Sequence, residues 1–319
     1  MKSPSRNSRR PPSPKRSGGS HWARLPTEGI LPGSEELDRL QAPEILDLLD
    51  REDHRVVEAV AGEARRIARA ARWLADCLAA DGRCVLLGAG TSGRLGVLEA
   101  AECPPTFGTR PDQILALMAG GRASVFRSRE GAEDERPGSH AELRRLGITE
   151  ADLLIGISAS SVTSFVEGGL EFGRGAEAKT ILVTCGRRPR GVADLVIAPQ
   201  VGAEPIAGST RLKAGTATKM VLNRITVLAM VRLNKVHGPF MVDLAASSSK
   251  LRDRARRIVS RLANVPPARA QELLETCSGR VKTSVLVGRS RLGASEAESL
   301  LRACHGSLRR ALRRVGADA

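Results

Sequence analysis

Aromatic side chains are scarce in this chain of 319 residues: they make up 2% of it, and tyrosine does not occur. Its core must therefore be filled by Leu, Val, Ile and Ala. The flat rings on which single-stranded nucleic acid stacks are also nearly missing. That shortage argues against a specific nucleic-acid partner despite a net charge of +15. Part of the basic excess falls in residues 1–24, where Lys2, Arg6, Arg9, Arg10, Lys15, Arg16 and Arg24 stand among Ser, Pro and Gly with no acid. Such a segment cannot bury enough apolar surface to offset its ordering entropy, so a disordered basic tail is expected. No apolar run approaches the roughly 18 residues needed to span a bilayer. Nor does an apolar h-region follow the basic N-terminus, so no membrane partner and a cytoplasmic location are expected. The six cysteines, Cys77, Cys84, Cys103, Cys185, Cys277 and Cys304, form no C-x-x-C pair, and the five histidines are scattered. Zinc-ligand spacing and a disulfide framework are both lacking, and no metal is expected.

What is present is an alternation of short apolar runs with helical periodicity. Residues 35–80 read as helical, with apolar positions at i, i+3 and i+4 across 44–49 and 56–78. Strands are predicted at 84–88, 114–118, 153–157, 180–184 and 195–198. Between and after them, helices are predicted at 95–101, 124–129, 140–146, 165–172 and 213–235, the first stopped by Pro104-Pro105. Strands alternating with helices imply an α/β fold, a five-stranded parallel sheet sandwiched between helices. From Ser249 onward the strand signals stop, and short helices at 251–263, 267–276, 280–288, 294–303 and 306–313 suggest a small helical C-terminal domain. The chain thus divides into a tail (1–24), an N-terminal helical segment (25–73), the α/β domain (74–248) and the helical domain (249–319).

The first strand ends in Gly88-Ala-Gly90-Thr-Ser-Gly93, a G-x-G-x-x-G run between strand and helix. A dinucleotide reading also needs an acid at the end of the second strand to hold the ribose. That strand ends Leu117-Met-Ala-Gly-Gly121 with no acid, so a nicotinamide cofactor is not expected. The loop still suits a phosphate: glycines admit close approach, and Gly90, Thr91, Ser92 and Gly93 offer N–H groups and hydroxyls at a helix start. The third strand ends similarly, in Ser158-Ala-Ser160-Ser161-Val-Thr163. Helix capping alone would account for one such loop. Two hydroxyl-rich loops at the same sheet edge suit a phosphosugar better, and no Walker lysine follows Gly93 to favour a nucleotide.

The run Leu87-Gly-Ala-Gly-Thr-Ser-Gly-Arg-Leu-Gly-Val-Leu-Glu-Ala-Ala-Glu-Cys-Pro-Pro-Thr-Phe-Gly108 resembles the signature of the N-acetylmuramic acid 6-phosphate etherases, which carry a sugar-isomerase (SIS) domain. Glu130-Gly-Ala-Glu-Asp134, Gly208-Ser-Thr-Arg-Leu-Lys-Ala-Gly-Thr-Ala217, Met241-Val-Asp243, Thr27-Glu-Gly29 and Glu36-Leu-Asp-Arg39 are similar too, so the likeness spans residues 25–315. The resemblance implies a SIS-type fold, a homodimer and a lyase working without cofactor on a sugar phosphate. It implies Glu102 as the acid, Glu133 as the base, and Ser209 and Lys213 as further substrate contacts. Glu102 is expected at the end of the helix launched by the Gly-rich loop, where the helix dipole disfavours a carboxylate. Cys103, its neighbour, is the one cysteine set apart from a purely structural role. After the third strand the family reads Ala-Ser-Gly-Arg-Thr-Pro, whereas this chain has Ala159-Ser-Ser-Val-Thr-Ser164. That departure resembles the glucokinase regulatory protein branch, so a non-catalytic, sugar-phosphate-sensing regulator is the alternative expectation.

Overall fold

The computed structural model describes residues 25–127 and 129–317. The expected basic tail, 1–24, lies outside the described residues. Two short 3₁₀ turns lead into helix α1 (Ala42–Gly62), which is followed by α2 (Ala64–Ala79). Gln41 starts α1 because its backbone N–H donates to the Glu44 carboxylate at 2.8 Å, one half of a capping box. The α/β layer then runs β1 (Cys84–Gly88), α3 (Gly90–Phe107), β2 (Ile114–Met118), α4 (Arg136–Leu146), β3 (Leu153–Ile157), α5 (Ser164–Gly175), β4 (Lys179–Val183), β5 (Leu195–Ile197) and α6 (Lys213–Arg232).

All pairs in the five-stranded sheet are parallel, in the order β2-β1-β3-β4-β5. Alternation along each strand feeds two cores. Cys84, Leu86, Ile155 and Ile181 face one core with side chains of α1, α2 and α6. Val85, Leu87, Leu154 and Leu182 face the other with Leu143, Phe165 and Leu170 of α4 and α5. Burying each large aliphatic side chain contributes roughly 1.5–3 kcal/mol, and these supply most of the core in place of aromatics. The chain leaves β1 in one direction to β2 and leaves β3 in the other to β4. The ends of β1 and β3, where Gly88 pairs with Ile157, therefore flank the switch point where such sheets bind ligands.

The remaining chain forms a two-stranded ribbon, β6 (Val236–His237) and β7 (Phe240–Met241), then α7 (Ser249–Ala263), α8 (Pro267–Thr276), α9 (Val281–Gly288), α10 (Ala294–Ala303) and α11 (Leu308–Arg314). These helices close on a separate core that includes Val259, Leu273, Val285 and Leu312. Ser248 caps α7 by accepting from Leu251 N–H at 3.2 Å. The division drawn at 73/74 falls within α2, whose buried face shares a core with the sheet.

Two predicted elements are corrected. Helix α3 starts at Gly90 and continues through Pro104 and Pro105 to Phe107. The prolines forgo N–H bonds near the helix end, where the Ala101 region is exposed to water, and their fixed φ suits a helix. Gly108, at φ 59°, closes the helix by donating to Pro104 O at 2.9 Å. The helix predicted at 124–129 is only a 3₁₀ turn, Arg122–Val125. The carbonyls of Ser124 and Val125 accept from the Arg94 guanidinium at 2.9 and 2.8 Å, which turns them away from helix propagation.

Candidate active site

At the end of β1 the glycines are a steric requirement. A Cβ on Gly88 would lie 2.6 Å from Gly93 N, and one on Gly93 would lie 2.7 Å from Gly88 O. That contact seats the first turn of α3 directly on the strand end. Ala89, the N-cap, offers no side-chain acceptor, and the first backbone bond of the turn is Gly93 N to Ala89 O at 3.1 Å. The N–H groups of Gly90, Thr91 and Ser92 therefore point out of the helix start without intrahelical partners, an anion-binding geometry. Thr91 and Ser92 are half-buried beside them.

The second hydroxyl-rich loop abuts the first, but its hydroxyls are not all free. Ser158 is buried, with its Oγ 2.8 Å from Thr163 Oγ1. Ser161 Oγ lies 2.5 Å from Thr184 Oγ1 and donates to Arg187 O at 3.1 Å. Ser161 has φ 67°, a left-handed conformation at the place where the family has glycine. The side chain of Ser160 is half-buried. The first turn of α6 reaches the same edge: a Cβ on Gly215 would lie 3.7 Å from Thr91 Cγ2, and Ser209, in the turn before that helix, is half-buried. Glu204 caps α6 by accepting from Lys213 N–H and Ala214 N–H at 2.9 and 3.0 Å.

The Lys213 side chain is turned into the protein rather than left open at the loop. Its side chain is 2% exposed, and Nζ donates to Glu52 Oε2 of α1 at 2.5 Å. This long side chain is the link that ties α1 to the start of α6.

Glu133 stands in the 3₁₀ turn Ala132–Asp134 and is exposed. It lines a cavity of about 120 Å³ together with Gly90, Arg94, Met118, Ser124 and Glu130. Ser124 Oγ, in the same lining, is buried with no hydrogen-bond partner among the described residues. A buried hydroxyl without a partner is uncommon in folded proteins. Arg94 and Ser124 were not singled out from the sequence; the position of Arg94 one residue after Gly93, on the helix launched by the loop, was the available signal.

Glu102 does not join that cavity. It is exposed on α3, more than a turn before the helix end at Phe107. Twelve residues separate it from Gly90, which at the helical rise of about 1.5 Å is roughly 18 Å along the axis. Cys103 is 2% exposed. Burial first, then the charges of Glu99 and Glu102, push its thiol up to about 12, so it is protonated and unreactive at neutral pH. Among the described residues no group of His, Cys, Asp and Glu side chains converges as a metal site. No described helix is long and apolar enough to cross a membrane.

The parallel sheet, its switch point and the Gly-rich loop define a SIS-class α/β protein. Residues 48–174 match the family model of the glucokinase regulatory protein N-terminal SIS domain. Longer likenesses narrow the class. An N-acetylmuramic acid 6-phosphate etherase of Gloeobacter violaceus is 46% identical over 92% of this chain and 96% of its own length. The etherase of Rubrobacter xylanophilus is 44% identical, covering 90% of this chain and 96% of that protein, and that of Rhodopirellula baltica is 41% identical over the same shares. The chain belongs to the N-acetylmuramic acid 6-phosphate etherase family.

Proposed function

We propose that the protein cleaves the D-lactyl ether at C3 of N-acetylmuramic acid 6-phosphate, giving N-acetylglucosamine 6-phosphate and D-lactate. The supporting observation is the near-full-length likeness to the etherases, 46% identity over 92% of this chain. In this reading the phosphate is held by the N–H groups of Gly90, Thr91 and Ser92 and by hydroxyls of Thr91, Ser92, Ser160, Thr163 and Ser209. With the sugar ring open, the C1 aldehyde acidifies the C2 proton, because the carbanion delocalises into the carbonyl. Glu133 takes that proton, and Glu102 protonates the ether oxygen as the C3–O bond breaks and lactate departs. Water then adds to C3 of the unsaturated aldehyde. Acid–base catalysis contributes roughly 10² to 10⁴-fold for each group placed within about 3 Å of its proton. The aldehyde is the electron sink, so the scheme calls on no further group.

In this reading residues 25–248 form the sugar-phosphate unit, in two segments divided at 73/74, and 249–319 buttress it. A sugar-phosphate-sensing regulator has less support, since binding alone requires neither Glu102 nor Glu133. Incubation with N-acetylmuramic acid 6-phosphate tests the proposal. D-lactate is expected from the unaltered protein and not from Glu102→Gln or Glu133→Gln. Saturable binding of the sugar phosphate without lactate release would favour the regulator.

A further inference from the structure

The Met241-Val-Asp243 motif has no part in the proposed chemistry, yet Asp243 stands where three elements meet. Its backbone lies against the end of α3. A Cβ on Gly108 would collide with Asp243 O, and Gly108 has φ 59°, so the contact requires glycine on both counts. The Asp243 carboxylate accepts from Lys282 Nζ of α9 at 2.7 Å and stands 3.6 Å from Nζ of Lys235, which follows α6. Its neighbour Val242 is buried in the core of the C-terminal helices. The Lys282 side chain is only 10% exposed. A pair so sheltered is screened little by salt, and loss of one partner leaves the other charge uncompensated.

The stretch of α3 that Asp243 abuts carries Glu102. It is weakly tied along its own axis. Pro104 and Pro105 cannot donate to the carbonyls of Ala100 and Ala101, so two consecutive backbone bonds are missing where Glu102 stands. Cys103 and Phe107, one turn apart, anchor one face of this stretch on the sheet core. Anchoring along one face leaves the turn free to tilt. The contact between Gly108 and Asp243 fixes its far end.

We propose that Asp243 and Lys282 are positioning residues for Glu102. Their buried ion pair holds the Asp243 backbone, that backbone holds Gly108, and Gly108 sets the tilt of the turn that presents the acid. The C-terminal helices thereby act on the reaction through one lysine. The proposal rests on the reading of Glu102 as the acid that protonates the departing ether oxygen. Misplacing such a group by about 1 Å costs on the order of 10²-fold in rate. Removal of the C2 proton, assigned to Glu133, does not depend on this turn. With the acid misplaced, the carbanion regains a proton at C2 more often than it expels lactate.

Solvent exchange separates the two steps. N-acetylmuramic acid 6-phosphate is incubated with the protein in D₂O, and deuterium at C2 of the remaining substrate is measured by mass spectrometry beside D-lactate release. Lys282→Met and Gly108→Ala disturb the same turn by different routes: the first removes the ion pair, and the second drives a Cβ into Asp243 O. Circular dichroism establishes that each is folded, and either one alone suffices for the test. For both, kcat for lactate should fall about 10- to 100-fold while KM changes by less than about twofold. The ratio of C2 exchange to lactate release should rise toward that of Glu102→Gln. Lys282→Arg, which keeps a cation beside Asp243, should recover most of the turnover. Exchange and lactate falling together in a folded variant, or turnover unchanged, would overturn the positioning role and leave the etherase reading standing. Lactate released at the unaltered rate by Glu102→Gln would instead remove the reading of Glu102 on which the proposal rests.

Discussion

The Lys213–Glu52 pair gives a quantitative check on the difference between a structural and a ligand-binding lysine. Both side chains are almost fully buried, at 2 and 4% exposure. Among the described residues, Nζ of Lys213 has Glu52 as its acceptor, whereas Glu52 also accepts from Arg55 Nη1 at 2.6 Å. Removing one member of a buried pair costs about 3–5 kcal/mol, because the other charge stays desolvated and uncompensated. Lys213→Met leaves Glu52 with the Arg55 contact and should fall near 3 kcal/mol, the low end of that range. Glu52→Leu strands the lysine and should fall near 5 kcal/mol. The double variant, with two apolar side chains of similar volume, should recover to within about 1–2 kcal/mol of the parent. Urea titration with an unchanged m value reads these differences as shifts in midpoint. If Lys213→Met is as stable as the parent while its KM for the sugar phosphate rises strongly, the buried pairing is refuted and the lysine acts as a ligand.

Other outcomes follow from the same geometry. Burial would raise the Asp152 carboxyl, but the Arg83 guanidinium and the N–H groups of Thr149 and Arg83 outweigh it and hold the carboxyl below its usual value. With the folded value below the unfolded one of about 3.9, the stabilisation is present above that pH and fades as pH falls through the folded value. Asp152→Asn should therefore cost about 3 kcal/mol at neutral pH, with the gap to the parent closing on acidification; a gap independent of pH would contradict this. Gly93→Ala should destabilise by about 1–3 kcal/mol and weaken sugar-phosphate binding, measured by calorimetry, because its Cβ would meet Gly88 O at 2.7 Å. All six cysteines are buried. Iodoacetamide at neutral pH should leave the folded protein unlabelled, by mass spectrometry, and label every thiol after unfolding; rapid labelling of Cys103 would contradict its assigned environment.

Much of the scaffold is legible in the sequence because continuous apolar runs of strand length and period-3.6 amphipathicity are local signals. The runs 84–88, 114–118 and 153–157 coincide with β1, β2 and β3, and the C-terminal helices fall within a few residues of their predicted ends. The misses involve forces from outside the local pattern. Pro104-Pro105 reads as a stop, but near a helix end the lost N–H bonds cost little. The 124–129 stretch has helical composition, but Arg94, some thirty residues earlier, takes its carbonyls. The ribbon formed by β6 and β7 has two residues per strand, too few for any periodicity. At the site, the loops and their glycines were readable because sterics fix them. Burial of Lys213 against Glu52 was not, since the two are far apart in sequence and lysine is ordinarily exposed. Nor could spacing show that Glu102, only twelve residues from Gly90, would stand remote from the cavity; that follows from the helix continuing straight through its glycines.

Oxygen labelling tests the proposed chemistry most directly. Turnover of N-acetylmuramic acid 6-phosphate in H₂¹⁸O should place the label on C3 of N-acetylglucosamine 6-phosphate and none in D-lactate, since elimination breaks the C3–O bond and water returns to C3. The same reaction in D₂O should leave deuterium at C2. Label in the lactate hydroxyl, or retention of the original C2 proton, would contradict an elimination run by Glu133 and Glu102.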